Sequence, residues 1–148
     1  MSVTIRPVTE GDLFAWHALS TGYGEFYSVA MTDEKAVRVW GWLNDAEHPL
    51  QAIVAENEAG ELVGLAHYRV FPRPLAGNTG LYLDDLYVSP DARKQGVGEA
   101  LIAQLRTIAQ EGGHSVVRWI TASDNDEAQR LYDRVATRTS WVTYDLEP

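Results

Sequence analysis

The chain has 148 residues, the length of about one domain, and we predict one domain over residues 1–148. A hydrophobic content of 45% suffices for an ordinary core and excludes a disordered chain. The formal net charge of −9 argues against nucleic-acid partners, which need a basic surface. It has two open interpretations, attraction of cationic amines or plain solubility.

The chain contains no cysteine, which excludes disulfides, thiol nucleophiles and cysteine-type zinc sites. The start of the chain lacks the basic and apolar regions of a signal peptide. No apolar run approaches the roughly 20 residues that a membrane span requires. We therefore expect a cytoplasmic protein with no membrane partner.

The first elements follow from hydrophobic periodicity. Alternation over 3–6 predicts a strand, and Thr9 with Asp12 forms a capping-box pattern ahead of a helix. We expect residues 22–24 to break that helix, because they read Gly-Tyr-Gly. Thr32 is a candidate N-cap for a second helix that ends near residues 44–45. The faces expected to be buried in these two helices carry Leu13, Trp16 and Leu19, and Val37, Trp40 and Leu43.

Two β-rich runs, 51–56 and 61–71, flank a turn and predict a hairpin. Residues 72–80 are rich in Pro, Gly and Asn and predict a longer loop. The remaining elements are predicted as a strand at 79–89, a helix from 97 to about 111, a strand at 116–121, a helix at 125–135 and a strand at 141–146. This order predicts an α/β (α+β) fold in which helices lie on both faces of one mixed sheet.

A glycine-bearing turn lies between the strand at 79–89 and the following helix. This glycine turn, residues 93–98, reads Arg-Lys-Gln-Gly-Val-Gly. A turn that opens a helix directs free N–H groups and the positive end of the helix dipole at one point, which favours a phosphate. A dinucleotide fingerprint would need a third glycine where Leu101 stands, and the P-loop pattern is absent.

The glycine turn resembles the Q/R-x-x-G-x-G/A signature of the GNAT acyltransferases. Residues 85–90 resemble the family strand that enters this turn, and residues 125–132 resemble its N-x-x-A-x-x-L-Y helix. The resemblance spans about residues 79–135, and the hairpin also fits in order. Residues 81–88 look most like the diamine (spermidine/spermine) acetyltransferase branch. The chain departs from the family at 135–139, where a Gly-Phe pair usually follows.

The resemblance implies a sheet of about six to seven strands with four helices, acetyl-CoA as co-substrate, and a homodimer. The pantetheine arm would pair with Leu86, Tyr87 and Val88. Asn125 has two open roles, as an N-cap and as a cofactor contact. The residues expected at the pyrophosphate are Arg93, Lys94, Gln95, Gly96, Val97, Gly98 and Glu99, with the Glu99 side chain turned away.

Acetyl transfer to an amine needs a proton acceptor for the ammonium and a donor for the departing thiolate. Tyr132 is the candidate donor; the alternative is a tyrosine in the core. Adjacent strand residues point to opposite faces unless a bulge re-aims them, so at most one of Asp84 and Asp85 should face the cleft. We expect Asp84 to bind the amine and accept its proton. We expect Asp85 to bond to loop backbone, with substrate binding as its alternative.

Glu25 and Tyr27 lie in a region that often lines the acceptor side in the family, or they face solvent. Trp40 and Trp42 are candidates for the dimer interface or for the core. The histidines lack ligand spacing, so we expect no metal. The sequence thus predicts direct acetyl transfer to a small cationic primary amine, such as a polyamine, a diamine or a lysine-like compound. The alternatives are acetylation of a protein lysine or N-terminus and a non-catalytic acyl-CoA-binding module.

Overall fold

The structure, a computed structural model, describes residues 2–148 and contains one sheet of mixed direction. Strands β1 to β4 pair antiparallel in chain order, and β5 pairs parallel to β4. This confirms the predicted fold class, although residues 2–148 form five strands rather than six to seven. The strands are β1 (Val3–Pro7), β2 (Gln51–Asn57), β3 (Leu62–Arg73), β4 (Asn78–Val88) and β5 (Val117–Arg118).

Helices cover both faces of the sheet and enclose two cores. One core lies beneath the first two helices around Trp16 and Val54, and the other lies beneath the third around Leu81 and Leu101. The fourth helix lies beside the start of the third, where Arg134 pairs with Glu99. The four helices are α1 (Leu13–Phe26), α2 (Asp33–Leu43), α3 (Val97–Gly112) and α4 (Asp126–Val135).

The predicted break at residues 22–24 was wrong, because α1 continues to Phe26. A Cβ on Gly22 would collide with the Tyr87 side chain, and one on Gly24 would collide with the carbonyl of Val29. These glycines therefore allow other groups to approach the helix closely, while their backbone stays helical.

Helix α2 begins as predicted, with Thr32 Oγ1 accepting a hydrogen bond from the Lys35 N–H at 3.2 Å. The expected buried face was wrong at Val37, which is 74% exposed. Trp40 and Leu43 pack against the core as predicted, and Ala36 and Val39 complete this face in place of Val37.

The predicted long loop at residues 72–80 was also wrong. Strand β3 continues to Arg73 and β4 starts at Asn78, so a short turn joins them. Gly77 closes this turn with a φ of 70°, a conformation that glycine adopts without the steric cost of a side chain.

Strand β4 contains a bulge that decides how its side chains are directed. Leu83 is opposite Tyr68 and Asp85 is opposite His67, which leaves Asp84 as the extra residue. A bulge of this kind re-aims side chains that a regular strand would send to opposite faces.

The C-terminal strands differ most from prediction. Strand β5 has only two residues instead of six, and residues 136–148 form no regular element. The large side chains at Trp141 and Tyr144 are 85% and 89% exposed. The alternating pattern at 141–146 is typical of a strand, but within residues 2–148 no strand pairs with it.

An ionic network joins the start of α1 to the sheet. The carboxylate of Asp12 accepts hydrogen bonds from the Arg6 guanidinium at 2.7 and 2.9 Å and from the Thr9 N–H at 2.7 Å. Arg6 also contacts Glu56 on β2 at 2.8 Å. Charge and hydrogen bonding from Arg6 lower the pKa of Asp12 to about 2.

Candidate active site

The glycine turn forms the N-terminus of α3 through two left-handed residues. Gly96 has a φ of 82° and Lys94 a φ of 63°, and the latter is unusual for a residue with a side chain. The first helical bond joins the Ala100 N–H to the Gly96 carbonyl at 3.0 Å. The amides of residues 97–99 therefore precede the hydrogen-bond ladder of α3 and are available to an anion.

A cavity of about 400 Å³ opens at this turn; we call it the glycine-turn cavity. A Cβ added at Gly96 would meet nothing within 4 Å, and one at Gly98 would approach only Leu131 and Val88. The space over the turn is therefore open to a ligand, which fits the pyrophosphate of acetyl-CoA. The predicted residues that line this cavity are Tyr27, Leu86, Tyr87, Val88, Arg93, Lys94, Gly96, Val97, Gly98, Glu99, Asn125 and Tyr132.

The edge of β4 explains how an extended ligand chain fits this cavity. Leu86, Tyr87 and Val88 pair with β3 on one side. On the other side, β5 pairs only with Leu81 and Tyr82, so the end of β4 has no neighbouring strand there. A free strand edge offers N–H and C=O groups to an amide-containing chain such as pantetheine.

Several residues of the turn have structural partners. Arg93 Nε donates to the Val88 carbonyl at 3.0 Å, so this side chain ties the turn to the end of β4. Gln95 donates to the Asp91 carbonyl and does not line the cavity. Glu99 pairs with Arg134 at 2.8 Å, which offsets its negative charge near the expected phosphate position.

Helix α4 contributes the two residues that its motif predicted. Asn125 Oδ1 accepts from the Ala128 N–H at 3.3 Å, so its N-cap role is present, and the residue also lines the cavity. Tyr132 lies two turns later, edge-on to Trp119 with ring centroids 5.3 Å apart. Burial raises the pKa of Tyr132 to about 12, so its hydroxyl keeps its proton at neutral pH.

A second cavity of about 410 Å³ lies between α1, α2 and the middle of the sheet. Asp84 and Asp85 both line it, so the bulge brings together two side chains of which at most one was expected to face the cleft. We call it the carboxylate cavity. Trp42 and His48, whose rings stack with centroids 5.0 Å apart, also belong to its lining.

The two carboxylates have different partners. Asp84 accepts from Arg69 Nε at 3.1 Å, and the Arg69 guanidinium lies over the Tyr82 ring. Burial raises the pKa of Asp84, and the charge of Arg69 opposes this only in part. A carboxylate with a raised pKa is better suited to accept a proton than an ordinary surface aspartate.

Asp85 was expected to bond to loop backbone, and the structure gives it another partner. Its Oδ2 lies 2.9 Å from Nδ1 of His67, a β3 residue that is 6% exposed. The Nε2 of the same ring accepts a hydrogen bond from the indole N–H of Trp16 at 3.0 Å.

Tyr23 lines both cavities and forms the wall that they share. Burial, reinforced by the charge of Asp85, raises the pKa of Tyr23. Tyr27 lies in the glycine-turn cavity rather than on the acceptor side, and Glu25 is exposed and lines neither cavity. No sequence pattern marks four of the lining residues as site residues, because they belong to no local motif: Trp16, Tyr23, His67 and Arg69.

None of the helices within residues 2–148 has the length and apolar character needed to cross a membrane. Over the same residues, no group of three or more His, Asp or Glu side chains is placed to hold a metal ion.

The chain is similar to enzymes that acetylate amines. The profile of the acetyltransferase (GNAT) family matches residues 13–136. A D-amino-acid N-acetyltransferase of Saccharomyces cerevisiae is 32% identical over 96% of this chain and 89% of its own length. A thialysine N-epsilon-acetyltransferase of Sus scrofa is 28% identical over 93% of this chain and 85% of its own.

Solved structures share the fold. AAC(6′)-Iy, in complex with the bisubstrate analogue CoA-S-monomethyl-acetylneamine, superposes with a TM-score of 0.86 over 100% of this chain and 99% of its own, at 18% identity. At that identity the likeness establishes the fold alone. The matched profile and the yeast relative, together with the glycine turn and the α4 motif, place this chain in the GNAT family, as an N-acetyltransferase of the kind that uses acetyl-CoA.

Proposed function

We propose that the enzyme transfers an acetyl group directly from acetyl-CoA to the primary amine of a small cationic acceptor. The observation that carries this proposal is the junction of the two cavities at Tyr23. The glycine-turn cavity holds a protonated tyrosine, and the carboxylate cavity holds two acidic side chains. An ammonium group is the natural partner of such a cavity.

Acetyl-CoA supplies the activated acetyl group. The free amides of residues 97–99 bind its pyrophosphate, and the edge of β4 at residues 86–88 orients the pantetheine arm. Asp84 accepts the proton of the acceptor ammonium, because its raised pKa lies closer to the working pH than that of an ordinary carboxylate. Tyr132 donates to the departing sulfur, because its hydroxyl remains protonated.

Arg69 favours an amino acid among the possible acceptors. Its side chain is 41% exposed and it also lines the carboxylate cavity, so one cation is present there beside two carboxylates. A guanidinium binds a substrate carboxylate well, whereas a diamine offers it nothing to bind. The relatives named for D-amino acids and thialysine support the same class. We also propose that the enzyme belongs to the diamine and thialysine acetyltransferase branch of the family.

A panel of acceptors tests the proposal, with release of free CoA thiol as the readout. We expect turnover with lysine-like amino acids of either configuration and weaker turnover with diamines of the same length. If a basic peptide outcompetes every small amine, the enzyme is a protein acetyltransferase. If acetyl-CoA raises the melting temperature but no amine is acetylated, the chain is a CoA-binding module.

We also propose a homodimer that works in the cytoplasm. The C-terminal segment exposes Trp141, Val142, Tyr144 and Leu146, a set of apolar side chains that a partner chain would cover. Light scattering on the purified protein measures its mass directly. We expect twice the chain mass, and a shift toward the monomer in a Trp141→Ser/Leu146→Ser variant.

A further inference from the structure

The hydrogen bonds around His67 fix which of its nitrogens carries the proton. The indole of Trp16 is only a donor, so the Nε2 that faces it at 3.0 Å must accept. The remaining nitrogen, Nδ1, then carries the hydrogen and donates it to Asp85 Oδ2 at 2.9 Å. The ring is neutral, because a doubly protonated imidazole would oppose one N–H to another.

All three residues of this chain of bonds line the carboxylate cavity, and their exposed fraction rises from Trp16 to Asp85. Trp16 is 0% exposed and His67 is 6% exposed, whereas the Asp85 side chain is 37% exposed and lines the carboxylate cavity. Trp16 is further held by Trp40, whose ring centroid lies 5.0 Å away. His67 therefore fixes the position of the Asp85 carboxylate, and Trp16 in turn fixes the ring of His67.

We propose that the chain from Trp16 through His67 is a positioning device that aims Asp85 at the acceptor ammonium. The two carboxylates then have different roles. Asp84, which pairs with Arg69, accepts the proton, and Asp85 binds the positively charged ammonium group of the acceptor. This inference rests on the proposed function. His67 touches no substrate in this scheme and acts only through Asp85.

Two substitutions of similar size separate the two bonds of His67. The amide nitrogen of His67→Asn lies near the position of Nδ1 and keeps a donor for Asp85, but it does not reach Trp16. The longer His67→Gln places an amide oxygen near the position of Nε2, which keeps an acceptor for Trp16 and loses the bond to Asp85. The melting temperature, with and without acetyl-CoA, checks that both variants fold and bind the cofactor.

Steady-state kinetics give the first readout. We expect His67→Gln to raise the KM for the amine by at least about tenfold, the lower end of what one hydrogen bond to a charged group contributes, with the KM for acetyl-CoA unchanged. His67→Asn should raise the amine KM by less than half as much. Equal amine KM values in the two variants would overturn the proposal, and so would a parallel rise in the KM for acetyl-CoA.

Nitrogen-15 NMR of the imidazole rings gives a readout that needs no turnover. We expect one histidine protonated at Nδ1 and bare at Nε2, whose signals disappear in His67→Asn and whose Nδ1 resonance moves in Asp85→Asn. If the ring of His67 is protonated at Nε2, the proposal fails even if the enzyme acetylates amines. If the tautomer is as expected but no amine reacts, the proposed function fails instead.

Discussion

The glycine-turn cavity and the carboxylate cavity meet at one tyrosine but are built in different ways. The first offers backbone amides at the glycine turn, and most of its lining comes from two local stretches within 86–99 and 125–134, with three more residues from 23–27 at the end of α1. The second is made of side chains that α1, α2, β3 and β4 bring from distant positions. A site that uses backbone amides requires particular residues at neighbouring positions, whereas a site built from side chains requires them at positions far apart in the sequence.

The largest expected effect is at Tyr132, which lines the glycine-turn cavity. Tyr132→Phe should lower kcat by about 1,000-fold with little change in the KM for acetyl-CoA, because the hydroxyl acts only on the departing sulfur. Stopped-flow or steady-state thiol release measures this, and Tyr68→Phe, at a buried tyrosine that lines neither cavity, is the matched control. If the variant kept the wild-type kcat, Tyr132 would not be the proton donor.

The same tyrosine has a pH signature. Because burial raises its pKa to about 12, ionisation of Tyr132 should not reduce the wild-type rate between about pH 8 and pH 10, where an ordinary tyrosine begins to ionise.

The second effect tests the acceptor side alone. Asp84→Asn should lower kcat/KM for the amine by about 100-fold and leave the KM for acetyl-CoA unchanged. The carboxylate must be ionised to accept a proton, and its pKa is raised by burial. In the pH profile of kcat/KM, the wild-type rate should therefore fall on the acid side with a midpoint above the usual aspartate pKa of ~3.9. This fall should be absent in the variant. The exposed Asp145→Asn should behave as wild type. If Asp84→Asn kept the wild-type fall in rate at low pH, a group other than Asp84 would be the base.

The third effect compares two requirements of the glycine turn, the left-handed backbone at Gly96 and the space beside Gly98. Gly96→Ala forces a side chain into a left-handed residue and should lower the free energy of unfolding by about 1 kcal/mol. Gly98→Ala keeps a helical backbone, its Cβ would meet Leu131 and Val88 only at van der Waals distance, and the family signature accepts Ala here, so it should not destabilise the protein and should raise the KM for acetyl-CoA by about twofold at most.

Gly41→Ala, at an exposed position of α2 with nothing within 4 Å, is the control for both glycine variants and should change neither KM. Thermal melts and the two KM values decide the comparison. If Gly98→Ala raised the amine KM instead, the assignment of the two cavities would be reversed.

The last effect is on stability alone and concerns the attachment of α1, which lines part of the carboxylate cavity. The pKa of Asp12 is about 2 in the folded chain and ~3.9 when unfolded, so its contribution of about 2 kcal/mol is present above about pH 4. It is lost as the pH falls from about 4 to about 2. Asp12→Asn should remove it at neutral pH and flatten this acid dependence of the melting curve. An unchanged acid dependence would show that the pair with Arg6 contributes nothing.

Much of the cofactor side was predictable from sequence, because a turn that opens a helix needs glycine at fixed spacing. Gly96 and Gly98 could therefore be recognised in the chain itself. His67 and Arg69 could not, since each is an ordinary strand residue until the register with β4 places it beside a carboxylate. The bulge that gathers both aspartates was equally hidden, because it is a property of two strands together.

The errors in the fold have related causes. The glycines at 22 and 24 were interpreted as a helix break because their reason, the approach of Tyr87 and of the Val29 carbonyl, lies outside the helix. The alternation at 141–146 is real, but a strand needs a neighbour as well as a pattern.

The bulge at Asp84 also changes the phase of β4. Before it, Leu81 and Leu83 face the core beneath α3; after it, Leu86 and Val88 face that core, and Tyr87 faces α1. Odd and even positions have exchanged faces within one strand. Deletion of a single residue here would turn every later side chain of β4 to the opposite face, so that Leu86 and Val88 would point toward α1 and Tyr87 toward the core beneath α3. The length of the chain at this point, as much as the identity of its residues, decides which β4 side chains pack against α1 and which against α3.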